Sequence, residues 1–190
     1  MNNNNLISKL QLLFYVCIEN NIPILGRDGF LLGTIRHNGF MNYDIDPDIM
    51  ICETDKNKLD SLKKVSNNFF TVKYHKKYDD VFYIYNDNQV IGEGVILVHN
   101  KDNNMLQQGK NFYGGEREKK RFYSVYGHSE SEDAVYKYSF NDVYPLSKCL
   151  FYEKEIFVPK NSIKLLKEHY GDDVMTHYFD KLEKNIIKNH

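Results

Sequence analysis

The chain has 190 residues, 42% of them hydrophobic and 27% charged, which is enough for one soluble globular domain with a real core. A formal net charge of -1 gives no global field to recruit nucleic acid or an acidic membrane, and no apolar run is long enough to span a bilayer. The three cysteines, Cys17, Cys52 and Cys149, form no CxxC pair, so no zinc site is indicated. Their odd, sparse number, with no signal-peptide pattern, makes the cytoplasm the default compartment.

After a polar opening, Leu6, Leu10, Leu13, Phe14, Cys17 and Ile18 recur at helical spacing and predict an amphipathic helix over 5–20. Ile22–Leu25 is a short apolar run, a strand or a turn entry. Gly26, Gly29 and Gly33 punctuate the next stretch, where a short helix with glycine in its first turn is predicted over 29–36, ending by Gly39. An acidic strand is expected over 44–51. Thr54 then reads as the N-cap of a helix carrying Leu59, Leu62 and Val65. Phe69–His75, Val81–Tyr85 and Val90–Val98 read as strands, with turns at residues 79–80 and 86–88. Residues 100–121 are polar and end in the basic cluster Arg117–Arg121, a mobile-loop pattern. Phe151–Val158 predicts a strand or hairpin. Pro159 and Asn161 introduce a helix that Gly171 stops, and a last helix is expected over 173–188. No repeat is visible, and residues 1–190 read as a single domain.

The most informative run is Asp44-Ile45-Asp46-Pro47-Asp48, followed by Ile49-Met50-Ile51. Alternate side chains of a strand share a face, so the three carboxylates would stand together with Ile45, Pro47 and Ile49 opposite. Like charges crowded on one face repel, and a divalent metal carrying phosphate is the usual compensator. Neighbouring carboxylates in the run are roughly 6.8 Å apart along a strand and can converge on one Mg²⁺, whereas Asp44 and Asp48 are roughly 13 Å apart. Asp46 and Asp48 are therefore the expected ligands, with Asp44 at the strand's entrance. Pro47 has no N–H to donate, which predicts an edge position or a gap in the ladder. A solvated acidic turn remains the plain alternative. An EF-hand loop fits poorly, because Ile49 and Asp55 stand where it needs Gly and Glu.

The segment Gly29–Gly33 stands directly before this strand. A helix start rich in glycine presents backbone N–H groups to phosphate, and a carboxylate-held metal nearby would neutralise the same phosphate. Together these are the parts of a nucleotidyltransferase-type site. Gly92 and Gly94, which flank Glu93 in a predicted strand, suggest a close backbone approach or a bulge. Arg36 can pair a phosphate through its fork of donors, or a neighbouring Asp, and His37 can cap helix carbonyls.

These residues resemble the LicD/fukutin family. Leu31–His37 is similar to that family's LLGxxRH stretch, and Gly39-Phe40 with Tyr43–Asp48 to its GFIPWDxDxD segment. Further on, Tyr144-Pro145-Leu146, Val158–Asn161 and Leu165–Gly171 resemble its FPL, VPxN and YLxxxYG blocks. The likeness covers residues 26–51 and 142–173. It departs at Phe30, where the family carries Ser or Thr, at Asn42-Tyr43 in place of Pro-Trp, and at Pro47 in place of an apolar residue.

The resemblance implies an α/β, nucleotidyltransferase-like fold, a small mixed sheet with packed helices. It implies transfer of a phospho-alcohol, such as phosphocholine or a polyol phosphate, from a CDP-linked donor to a glycan hydroxyl, with Mg²⁺ or Mn²⁺ as cofactor. The expected partners are that donor and a glycan acceptor, with no nucleic acid and no transmembrane segment. Asp46, Asp48 and Glu93 are then expected to hold the metal. Asp44 would act on metal-bound water or the acceptor hydroxyl, Arg36 and His37 would contact the donor, and Gly29 and Gly33 of the donor site would permit close phosphate approach and tight packing respectively. Two further readings stay open: nucleotide transfer from an NTP to a small molecule or protein, and a catalytically silent binding protein on the same fold.

Overall fold

The computed structural model of the chain describes residues 3–41, 45–78, 80–108 and 137–176. These form a mixed α/β structure around a nine-stranded sheet with packed helices, in the class expected from the sequence. In chain order the strands are β1 (Leu25–Gly26), β2 (Asp48–Cys52), β3 (Phe70–Tyr74), β4 (Val81–Asn86), β5 (Gln89–Asn100), β6 (Met105–Gln108), β7 (Lys137–Ser139), β8 (Ser147–Phe151) and β9 (Lys154–Val158). The main path runs β3-β4-β5-β2-β1-β9-β8, with β6 on β5 and β7 on β6. The β2–β5 and β1–β9 pairs are parallel, and the other strand pairs are antiparallel.

The pleat divides the strands between two cores. In β2, Ile49 and Ile51 enter the larger core, and Met50 and Cys52 enter the smaller one on the opposite face. The larger core is closed by α1 (Asn3–Glu19), whose stripe Leu6, Leu10, Leu13, Phe14 and Cys17 is buried as its spacing requires. It is also closed by α2 (Asp28–His37), which inserts Phe30 among Phe14, Phe40 and Phe151, with ring centroids 5.1–5.8 Å from Phe30. The smaller core gathers Leu25, Met50, Val95 and Leu97 under Tyr138, α5 (Phe140–Val143) and Leu165 of α6 (Ser162–Tyr170).

Several expectations shift. The acidic strand begins at Asp48, not Asp44, because Ile45, Asp46 and Pro47 carry no regular structure and the Asp48 N–H turns back to the Asp46 carbonyl at 3.0 Å. Pro47 thus lies outside the ladder and removes no bond from it, so β2 sits in the middle of the sheet, between β5 and β1. Thr54 caps no helix. Its hydroxyl donates to Cys52 Sγ at 3.3 Å, and a 3-10 turn (Glu53–Asp55) leads into the short helices α3 (Lys56–Asp60) and α4 (Leu62–Val65). The polar stretch after residue 100 contains β6. The 151–158 run is the second half of a hairpin whose first strand starts at Ser147. α6 stops at Gly171 as expected, and residues 172–176 turn where a last helix was expected to begin, its remainder lying outside the described residues. Among the described residues, no helix is long and apolar enough to cross a membrane.

Candidate functional site

The site is built where β1 ends, α2 begins and β2 starts. Antiparallel pairing of Gly26 with Ile49 brings Arg27 across from Asp48, and the Arg27 N–H donates to the Asp48 carbonyl at 3.0 Å. Parallel pairing sets Asp48 opposite Glu93, and antiparallel pairing sets Glu93 opposite Tyr83. Register partners project to the same face, so Asp48, Glu93 and Tyr83 form a row on the side of the smaller core. Asp48 and Glu93 are each half-buried. The side chains that would continue this row inward, Met50 and Val95, are buried, so the carboxylates stand where the apolar packing of that face gives way.

Arg27 is 7% exposed, and each of its three guanidinium nitrogens donates a hydrogen bond. Nη2 donates to Asp48 Oδ1 at 2.9 Å, Nε to the Ile49 carbonyl at 3.3 Å, and Nη1 to Asp28 Oδ2. Asp28 opens α2 with φ at +50°, a left-handed conformation that Asp tolerates better than most residues. Its other oxygen lies 3.5 Å from His169 Nε2 on α6. The Tyr138 phenol, half-buried nearby, has its pKa pushed up mainly by desolvation. Asp28 and Asp48 add to that shift and Arg27 opposes it, so the hydroxyl stays protonated.

Arg27, Asp28, Asp48 and Glu93 together carry one positive and three negative charges, an excess that favours a cation at the open edge. The N-terminus of α2 lies beside them, adding backbone donors with no side-chain cap on them. The same corner therefore offers carboxylate oxygens for a hard cation and N–H groups for an anion. Among the described residues, no group of three or more His, Cys, Asp or Glu is gathered closely enough to hold an ion alone. Mg²⁺ is commonly held by one or two carboxylates with the remaining ligands from substrate phosphate and water, so the Asp48–Glu93 pair fits an ion that arrives with a diphosphate.

The other predicted residues are distributed as follows. Asp46 is exposed, two residues ahead of Asp48. Asp44 lies outside the described residues, as do Arg117–Arg121 and His128. Gly29 is buried in the first turn of α2. Gly33 has a packing role: a Cβ there would come within 2.5 Å of the Gly39 carbonyl and 2.9 Å of the Met41 nitrogen, so only glycine lets the returning chain pass. Arg36 and His37 occupy the last turn of α2, roughly 12 Å along its axis from Asp28. Arg36 Nη1 donates to the Val174 carbonyl at 3.4 Å, and His37 is exposed. His99 stacks on Phe140 with a centroid distance of 4.2 Å, Tyr170 is buried, and Lys160 is tied through its backbone N–H to the Val143 carbonyl. Sequence reasoning missed Arg27, Asp28, Tyr138 and His169. The one signal for Arg27 was its position between the apolar run and the glycine-led helix, where a returning strand must pass it.

A family model described as LicD/FKTN/FKRP, nucleotidyltransferase domain, matches residues 21–161. A search of curated proteins returns no match.

Proposed function

Because the chain belongs to the LicD/FKTN/FKRP nucleotidyltransferase-domain family, with the phosphotransferase-type activity that membership supports, we propose that it transfers a phospho-alcohol from a CDP-linked donor to a glycan hydroxyl. The observation that carries this reading is the pairing of Asp48 with Glu93 beside the N-terminus of α2. In it, Asp48 and Glu93, with Asp46 from the approach to β2, would hold the Mg²⁺ or Mn²⁺. When bound, that ion neutralises the donor diphosphate and polarises the phosphoryl group under attack.

The chain's own residues bind and orient. The first N–H groups of α2 receive the donor's phosphate oxygens. The acceptor hydroxyl oxygen attacks the phosphorus that bears the alcohol, and the bond from that phosphorus to the bridging oxygen breaks. Cytidine monophosphate leaves with the bonding electrons, and the hydroxyl proton passes to a carboxylate, for which Asp44 is the nearest in sequence. Most of the rate gain in such a site comes from positioning and fixed charge.

Melting temperature measured against CDP-choline, a CDP-polyol, CTP, UDP-sugars and ATP, each with Mg²⁺ or EDTA, tests the reading, since a ligand of the native state must raise it. A metal-dependent rise with the CDP-alcohols is expected. A cooperative melt that no nucleotide moves would favour a silent binding protein. Release of pyrophosphate from CTP or ATP, in place of cytidine monophosphate from a CDP-alcohol, would identify nucleotide transfer instead.

A further inference from the structure

We infer that Arg27 is a positioning residue that sets the direction of the Asp48 carboxylate toward the metal; this rests on the proposed function. Four bonds define the device. The Arg27 backbone N–H is fixed to the Asp48 carbonyl, Nε to the Ile49 carbonyl, Nη1 to Asp28 and Nη2 to Asp48 Oδ1. A planar fork held at both the backbone and Nε cannot swing, so the oxygen it grips is fixed as well. Gripping Oδ1 sets the rotation of the carboxyl plane and hence the direction of its second oxygen. An unconstrained Asp at the start of a strand, half-buried as Asp48 is, would sample several rotamers and lose that entropy on binding an ion.

The arrangement matches how metal-binding carboxylates are usually supported, with a hydrogen-bonding group behind the ligand that orients it. A lysine at position 27 would keep the charge without the fork. Asp28 is the counterweight: it neutralises the buried guanidinium, and its other oxygen lies 3.5 Å from His169 Nε2 on α6. Without Asp28, Arg27 would lower the site's attraction for a dication; with it, the pair is close to neutral and leaves Asp48 and Glu93 to set the field.

The test is Mn²⁺ affinity, read from free Mn²⁺ by electron paramagnetic resonance on the full chain with cytidine diphosphate present. The variants are Arg27→Met with Asp28→Asn, which keeps the net charge, and Arg27→Lys. Loss of an orienting partner costs about 10- to 100-fold in metal affinity, so the double variant is expected to bind Mn²⁺ at least about tenfold more weakly while still melting cooperatively. Arg27→Lys should weaken binding by a smaller factor, and it decides the matter alone if the double variant does not fold. Affinity within twofold of wild type in a folded variant overturns the positioning role and leaves the proposed function standing. A wild-type chain that takes up no Mn²⁺ overturns both.

Discussion

The two faces of the β2–β5 pair share a backbone and differ in everything that backbone carries. On one face, Ile49, Ile51 and Ile96 meet a wall of aliphatic and aromatic side chains. On the other, two steps along the same strands, packing stops at Met50 and Val95 and gives way to Asp48 and Glu93, gripped or flanked by Arg27 and Tyr83. The closed face tolerates no missing methylene because its neighbours cannot relax to fill the space. The open face spends that rigidity on holding charges that would otherwise separate.

Substitutions on each face should therefore fail differently. On the proposed function, the largest effect is expected from Asp48→Asn, which should lower turnover of a CDP-alcohol by about 100-fold or more, since even orienting partners of a metal ligand are worth about 10- to 100-fold. Its melting temperature should change little, and a fully active variant would remove Asp48 from the chemistry. Phe30→Ala is the converse. It should cost about 3–5 kcal/mol, read from the denaturant midpoint, because the ring touches Phe14, Phe40 and Phe151. Phe30→Thr would restore the family's hydroxyl but place it in that aromatic cluster, so a stability loss with no gain in rate is expected.

Gly94→Ala comes next. A Cβ there would stand 2.2 Å from the Phe82 ring on the closed face, and the overpacking should cost about 1–3 kcal/mol, with the midpoint falling and the denaturant slope unchanged. Away from both faces, Asp142 accepts from Lys164 Nζ at 2.6 Å and Asn161 Nδ2 at 2.7 Å, and these bonds hold its carboxyl below the ordinary range. A carboxylate with a depressed folded pKa stabilises above its unfolded value, about 3.9, and loses that contribution as pH falls through the lower folded value. Asp142→Asn should therefore lower stability on the neutral side, leave it nearly unchanged at the acid end, and so flatten the acid limb below about pH 4, measured by urea midpoints. The smallest change is expected from Lys148→Ala, which breaks an exposed pair with Glu155 across the β8–β9 hairpin and should cost about 0–1 kcal/mol.

What could be read from the sequence followed how local the cause was. The α1 stripe, the glycine-led α2 and the Gly171 stop are set by neighbours within a turn or two, and each was visible. Glu93 is the carboxylate expected on a neighbouring strand, and register sets it opposite Asp48, while its flanking Gly94 makes room for the Phe82 ring. Alternation alone started the acidic strand too early, because Pro47 keeps the ladder from extending back and the chain turns at Asp46 instead. Strand β6 was hidden by its polar composition, Met105-Leu106-Gln107-Gln108, being held by pairing with β5 rather than by propensity. Arg27 was invisible for the same reason on a larger scale. Its partners Ile49 and Asp48 lie more than twenty positions away, and only the return of the chain past β1 brings them to it.

One feature of the sheet bears on how the molecule is made. β1 has only two residues, and its outer neighbour is β9, where Leu25 pairs with Phe157. A strand that short has no independent stability and stays incomplete on that side until the far end of the chain has been synthesised. At ordinary rates of translation that interval is roughly 7 to 26 seconds. Through it, Arg27 and the start of α2 have no finished sheet to lean on, so nascent chains halted before residue 157 should remain protease-sensitive around residues 25–30, and longer ones should not.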